Sequence, residues 1–241
     1  MSQQKNINLQ ISKIKNLPPL PEISVRIMNA VNNPDISVDE LVEVISLSPT
    51  LTARLLGLAN SAYFGRSGKI DDLRIAIIQV LGLNLVKSLA LSIVLNVEMD
   101  TSKCQQFDGE YFWSHSFITA IVAQRLAVHL HDELLTPNAV YTSGLLLNIG
   151  LIAAVYILPE EINDIFAQTD RADGSVAHEM QARLGVTQYG IGEMLLSRWK
   201  LPEIYQKVVK EFRDAKFDGQ ESTLIKLLEL SHLISKYIVT D

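Results

Sequence analysis

The chain has one cysteine, Cys104, which excludes an internal disulfide and any metal centre built from several thiolates. It is short of positive charge: 21 Lys and Arg stand against 27 Asp and Glu, leaving a net charge of −6. General nucleic-acid binding needs a basic face and is not expected. The opening MSQQKNINLQ lacks the basic, apolar, small-residue order of a secretory signal. With a lone thiol, this points to a cytoplasmic protein. Nucleophile and phosphate motifs are missing too: there is no G-x-S-x-G, no G-x-x-x-x-G-K and no G-x-G-x-x-G. The five histidines form no H-x-x-x-H pair, so zinc-peptidase spacing is absent. Read singly, each histidine suits a surface or hydrogen-bonded core position.

One long apolar run is present. Residues 139–158 carry no charge, which is enough length to span a bilayer. Tyr141, Thr142, Ser143, Asn148 and two glycines interrupt it, and Glu160 and Glu161 follow directly. The expectation is a helix buried by its neighbours, not a membrane span.

Helical signals recur throughout, and no segment alternates as a strand would. Ile7, Ile11 and Ile14 share one face of a first helix, ended by the Leu17–Pro21 stretch; Ile23, Ile27 and Val31 mark a second. Ser37 and Glu40 have capping-box spacing, and Ser48-Pro49 reads as an N-cap with a first-turn proline. Later helices are expected at Glu110–His131, Thr136, Pro159, Thr187, Pro202 and Glu221-Ser222, with Gly185 as a left-handed cap. The polar stretch 100–109 is the best internal boundary. The chain therefore reads as all-α, in an N-terminal lobe over 1–107 and a second over 108–241.

Several stretches together resemble one family: Ser48–Leu56 continuing into Ala59–Gly65, Ala76–Gly82, Phe112–Ser116, Ser143–Gly150, and Trp199-Lys200-Leu201-Pro202. From Leu17 to Phe212 the chain resembles the HDOD family, the HD-related output domains of bacterial signalling. The resemblance implies a single all-α, HD-like domain acting in signal transduction. Members are often fused to other signalling domains; 241 residues imply a stand-alone version.

The wider HD superfamily, to which the resemblance also leads, hydrolyses phosphate compounds with metal held by a first His, a His-Asp pair and a distant Asp. Carried onto this chain, only His115 matches. The pair falls on Leu147 and Asn148, Gln188 stands where some relatives have histidine, Phe212-Arg213 replaces a His-His pair, and the terminal Asp falls on His232. Leucine cannot bind metal, and asparagine offers only a neutral oxygen. The implied site is a remnant with no metal or other cofactor and no catalytic residue. The expected function is a non-catalytic signalling module that binds a protein partner or small signalling ligand. A phosphohydrolase with a displaced site is the alternative. A second candidate binding region is the loop carrying Asn60, Ser61, Tyr63, Phe64 and Gly65, since loops on rigid scaffolds often hold binding residues. Its aromatics could equally tuck into the core, with Asn60 capping the preceding helix.

Overall fold

The computed structural model describes residues 22–33, 35–61, 69–83, 85–87, 89–90, 99–130, 132, 135–169 and 175–240. All regular elements among them are helices, and they fall into two compact units, Leu20–Glu98 and a unit containing Met99–Asp241.

In the first unit, α1 (Glu22–Asn32), α2 (Val38–Ser46) and α3 (Pro49–Ala59) start where side chains satisfy the orphan amides. Ser37 Oγ accepts from Glu40 N at 3.2 Å while Glu40 Oε2 accepts from Ser37 N at 2.9 Å, the reciprocal capping box. Ser48 caps α3, with Pro49 in its first turn. Ile27, Met28, Leu41, Ile45, Leu51 and Leu55 supply the buried faces. α4 (Leu73–Ala76) widens into a π turn over Ile77–Leu81, where Gly82 N donates to Ile77 O at 2.8 Å. Gly82 leaves the helix at φ 78°, a conformation only glycine adopts cheaply. A glycine at position 82 suits this break; the π turn before it is not legible in the sequence.

The boundary lies between Glu98 and Met99, earlier than the polar stretch suggests. That stretch is stitched to the second unit. Asn163 Oδ1 accepts from Gln106 N at 2.9 Å, Cys104 is buried beside it, and Phe107 packs on Phe112 and Phe166. Polar composition marks a linker only if the backbone groups find no partner in the fold, and here they do.

The second unit holds α5 (Gly109–Ala127), α6 (Pro137–Leu146), α7 (Ile149–Ile157), α8 (Pro159–Gln168), α9 (Ser175–Leu184), α10 (Gln188–Arg198), α11 (Glu203–Glu211) and α12 (Ser222–Thr240). α5 packs against α6 and α12, and α10 against α7 and α11. The apolar run is the centre of this unit: between Ala139 and Ile157 it is 83% buried. It is also two helices, turning at Leu147 and Asn148. Gly185 ends α9 at φ 72°, and Lys200 ends α10 at φ 55°. There Leu201 N reaches back to Leu196 O at 3.0 Å before Pro202 stops the helix. The Trp-Lys-Leu-Pro stretch is therefore a helix terminator followed by the start of α11.

Two crossings depend on missing side chains. A Cβ on Gly144 would lie 2.8 Å from Ala120 Cα, bringing α6 onto the backbone of α5. A Cβ on Gly150 would lie 1.9 Å from Gln188 O and 2.4 Å from Gly192 N, so α7 and the start of α10 touch backbone to backbone. Gly150→Ala is expected to destabilise the protein by about 3 kcal/mol, the upper end for overpacking, because rigid backbone must yield. Urea denaturation of the variant checks this; an unchanged midpoint would mean that the two helices do not cross so closely.

Candidate functional site

The N-terminal turns of three helices and one face of α12 converge in the second unit. Asp108 caps α5 by accepting from Tyr111 N at 2.9 Å. Two turns on, His115 faces inward, buried, with Tyr111 stacked on its ring at 5.9 Å. His232, Ser235 and Lys236 occupy one stripe of α12 by their i, i+3, i+4 spacing. Asn148 opens α7 and Gln188 opens α10, held side by side by the Gly150–Gly192 approach. Arg213 follows α11. Ser235 apart, these residues line a cavity of about 120 Å³, with Phe107, Phe112 and Phe166 on its walls.

Ser235 joins the innermost network. Its Oγ lies 2.9 Å from His232 O, 2.7 Å from Thr119 Oγ1 and 2.9 Å from His115 Nε2. Thr119 Oγ1 also reaches the His115 carbonyl at 2.8 Å. Each hydroxyl has one hydrogen, and the His115 tautomer decides whether Nε2 donates to Ser235 or accepts from it. In either case His115 Nε2 is engaged with Ser235.

The second imidazole meets the first edge-on, ring centres 4.5 Å apart, and meets Phe212 at 5.6 Å. Burial, reinforced by His115, Arg213 and Lys236, pushes the His232 pKa down to about 3. Burial also lowers that of His115; a hydrogen bond to the His232 backbone opposes the shift and Lys236 adds to it. Both rings are neutral near pH 7. His232 Nδ1 and Gln188 Oε1 are buried and have no hydrogen-bond partner.

The donor set does not suit a tightly held divalent ion. Among the described residues, no three His, Cys, Asp or Glu side chains come together as ligands. The carboxylate lining the cavity, Asp108, is engaged with the start of α5. Anionic ligands and free imidazole lone pairs are what such ions require.

Of the positions suggested by the HD correspondence, His115, Asn148, Gln188 and His232 come together in the cavity wall. Leu147 does not: fully buried, it packs in the core with Ala123, Val140, Tyr189 and Phe212. Ser235, Tyr111 and Lys236 were not anticipated. The spacing of Ser235 and Lys236 from His232 on one helix is the signal that points to both. At the other candidate region, Asn60 ties the end of α3 to Ile70. Its Nδ2 donates to Leu56 O at 2.8 Å and Ile70 O at 2.7 Å, and its Oδ1 accepts from Ile70 N at 2.8 Å. Ser61 is half-buried with an unpartnered Oγ. Tyr63, Phe64 and Gly65 lie outside the described residues.

This arrangement of helices is HD-like, and the sequence places it in a family. The HDOD domain profile matches residues 17–214, and the chain belongs to that family. It is 28% identical over 194 residues to an uncharacterized protein of Treponema pallidum (strain Nichols), an alignment covering 79% of this chain and 36% of that protein. A candidate signal transduction protein from Marinobacter aquaeolei VT8 superposes with a TM-score of 0.77 at 26% identity, over 90% of this chain and 48% of the other. A candidate phosphohydrolase from Shewanella amazonensis SB2B gives 0.73 at 27% identity, over 96% and 81%. The chain thus spans about a third of the Treponema protein and about half of the Marinobacter one.

The two neutral imidazoles make stability depend on pH. Unfolded, each returns to a pKa of about 6.5, so below that pH the unfolded chain binds more protons than the folded one. The stabilisation is complete above about pH 6.5 and is lost as pH falls toward the folded value of about 3 for His232. For His232 alone the expected loss between pH 7 and 5 is about 2 kcal/mol. Urea unfolding at the two pH values should show it, and His232→Gln should flatten the profile. A wild-type protein equally stable at both would contradict the burial of these rings as neutral groups.

Proposed function

We propose that this HDOD domain is a non-catalytic signal-transduction module that acts by binding a ligand or partner at the α5–α7–α10–α12 cavity. The observation that carries the reading is the chemistry of the cavity wall. His115 Nε2 is engaged with Ser235, Asn148 brings a neutral amide where the HD pattern has an Asp, and Gln188 brings another where some relatives have a histidine. Water activation at neutral pH needs a metal or a poised base. The histidine beside His115 sits too low in pKa to serve as a base of useful strength. What remains is a pocket with polar groups of fixed orientation and an aromatic wall, the usual make-up of a small-molecule site.

The Shewanella relative carries the name of a phosphohydrolase, so hydrolysis is the reading to test against. Protein purified without an affinity tag is expected to hold well under one zinc, iron, manganese or magnesium per chain by elemental analysis. It is also expected to leave cyclic dinucleotides, nucleotides and generic phosphate esters intact. One tightly held metal per chain that disappears in His115→Ala would overturn the proposal, as would turnover abolished by that substitution.

Restoring the pair should not restore chemistry. Leu147→His with Asn148→Asp places polar groups at a fully buried core position and its neighbour, at an expected cost of roughly 3–5 kcal/mol. Thermal unfolding together with a phosphatase assay checks this. A double variant that melts like the parent and hydrolyses phosphate esters would show that only two ligands separate this chain from an enzyme.

A further inference from the structure

Neutral polar groups left unused on the cavity wall narrow the ligand of the binding role proposed above, on which this inference rests. Gln188, more than nine-tenths buried, lines the cavity with an acceptor oxygen, Oε1, that has no partner. His232 lines it too, and its buried Nδ1 is also unpartnered. Asn148, buried as well, opens α7 without its side chain capping the helix, which leaves that amide to the cavity. An acceptor buried without a donor is costly, and a bound N–H removes the cost. The ionised side chains on the wall select neither sign of ligand. The negative Asp108 stands among them with the positive Arg213 and Lys236. Each is engaged within the protein: Asp108 with Tyr111 N at 2.9 Å, Arg213 over the Phe212 ring at 5.2 Å, and Lys236 with a partner of its own. An ion entering beside a neutral imidazole gives up its hydration with no counter-charge reserved for it. Size is the second limit. The cavity is about 120 Å³, against roughly 150 Å³ for one that takes up benzene, which allows a ligand about five non-hydrogen atoms. Phe107 lies 5.5 Å from Phe112 and is stacked 6.4 Å from Phe166, so an apolar flank is available beside the polar groups.

We infer that the cavity binds a small neutral primary carboxamide. Its two N–H groups supply Gln188 Oε1 and, with His232 protonated at Nε2, His232 Nδ1. Its carbonyl accepts from the Asn148 amide, and its short carbon chain lies against Phe107 and Phe166. Two acceptors and a donor on the wall thus meet two donors and an acceptor on the ligand. A carboxylate brings no hydrogen to either acceptor, an amidinium has no acceptor for Asn148, and a ketone leaves Gln188 and His232 as they are.

The test is titration of the full, nitrogen-labelled chain with acetamide, followed by amide NMR shifts. Acetate, acetamidinium, acetone and N-methylformamide, all of similar size, serve as probes that each lack one requirement. The expected result is saturable binding of acetamide with a Kd on the order of millimolar. It should be at least fivefold tighter than for any other probe and indifferent to added salt. Gln188→Met keeps the length of the side chain and removes the acceptor. It should weaken acetamide binding at least fivefold and melt no lower than the unsubstituted chain. If Gln188→Met fails to fold, the ranking of the probes on the unsubstituted chain decides. Acetate, acetone or another probe binding as tightly as acetamide, no saturable binding of acetamide, or a folded Gln188→Met variant of unaltered affinity would overturn the inference. Each of those results leaves the non-catalytic reading standing. Hydrolysis of acetamide to acetate and ammonia, abolished by His115→Ala, would instead sink the non-catalytic reading and leave amide recognition in place.

Discussion

The second unit depends on two helices meeting with nothing but backbone between them. Gly150 on α7 and Gly192 on α10 leave no room for a methyl group: the position a Cβ would take at Gly150 is 1.9 Å from the Gln188 carbonyl. Because the contact is made by main chain, it cannot relax by a change of rotamer. It fixes where α7 begins, and so where Asn148 stands, and it fixes the first turn of α10 and with it Gln188. The crossing of α6 over α5 at Gly144 and Ala120 has the same character and sets the height of the helix that carries His115. The cavity is what these crossings leave between helices whose ends they hold apart.

Within that frame the electrostatics follow from burial. Two imidazoles edge to edge, with two cations at hand, are most stable when neither ring is charged. A metal-binding ancestor of such a site would offset buried positive charge with carboxylates. Here the neutral amides of Asn148 and Gln188 line the interior, and the hydroxyl of Ser235 meets His115 behind them. His115 is part of a hydrogen-bond network that joins α5 to α12, with Thr119 as its second link.

Much of the fold was legible in the residues because helix ends are decided locally. Ser37 with Glu40, Ser48 with Pro49, Thr136 with Pro137, Thr187, and Gly185 all act where their chemistry suggests, since capping needs only neighbours three residues away. The burial of the charge-free run was legible too, from the polar residues inside it and the acids after it. The π turn before Gly82, the turn that divides the run at Leu147, and the attachment of 99–108 to the second unit were not. Each is decided by contacts with residues distant in sequence, such as Asn163 for the 104–106 segment.

The site divides in the same way. By itself the sequence determined that position 147 brings no metal ligand and position 148 only a neutral oxygen, because leucine and asparagine carry those atoms wherever the chain places them. It also placed His115, Asn148, Gln188 and His232 on one family pattern, and the fold brings all four to one cavity. Tertiary structure alone decided that Leu147 packs in the core beside Phe212, that Ser235 meets His115, and that Arg213 and Lys236 line the same cavity. Those outcomes depend on the angles at which helices cross. The angles are set by steric contact between residues far apart in the chain, and no local pattern of residue types encodes them.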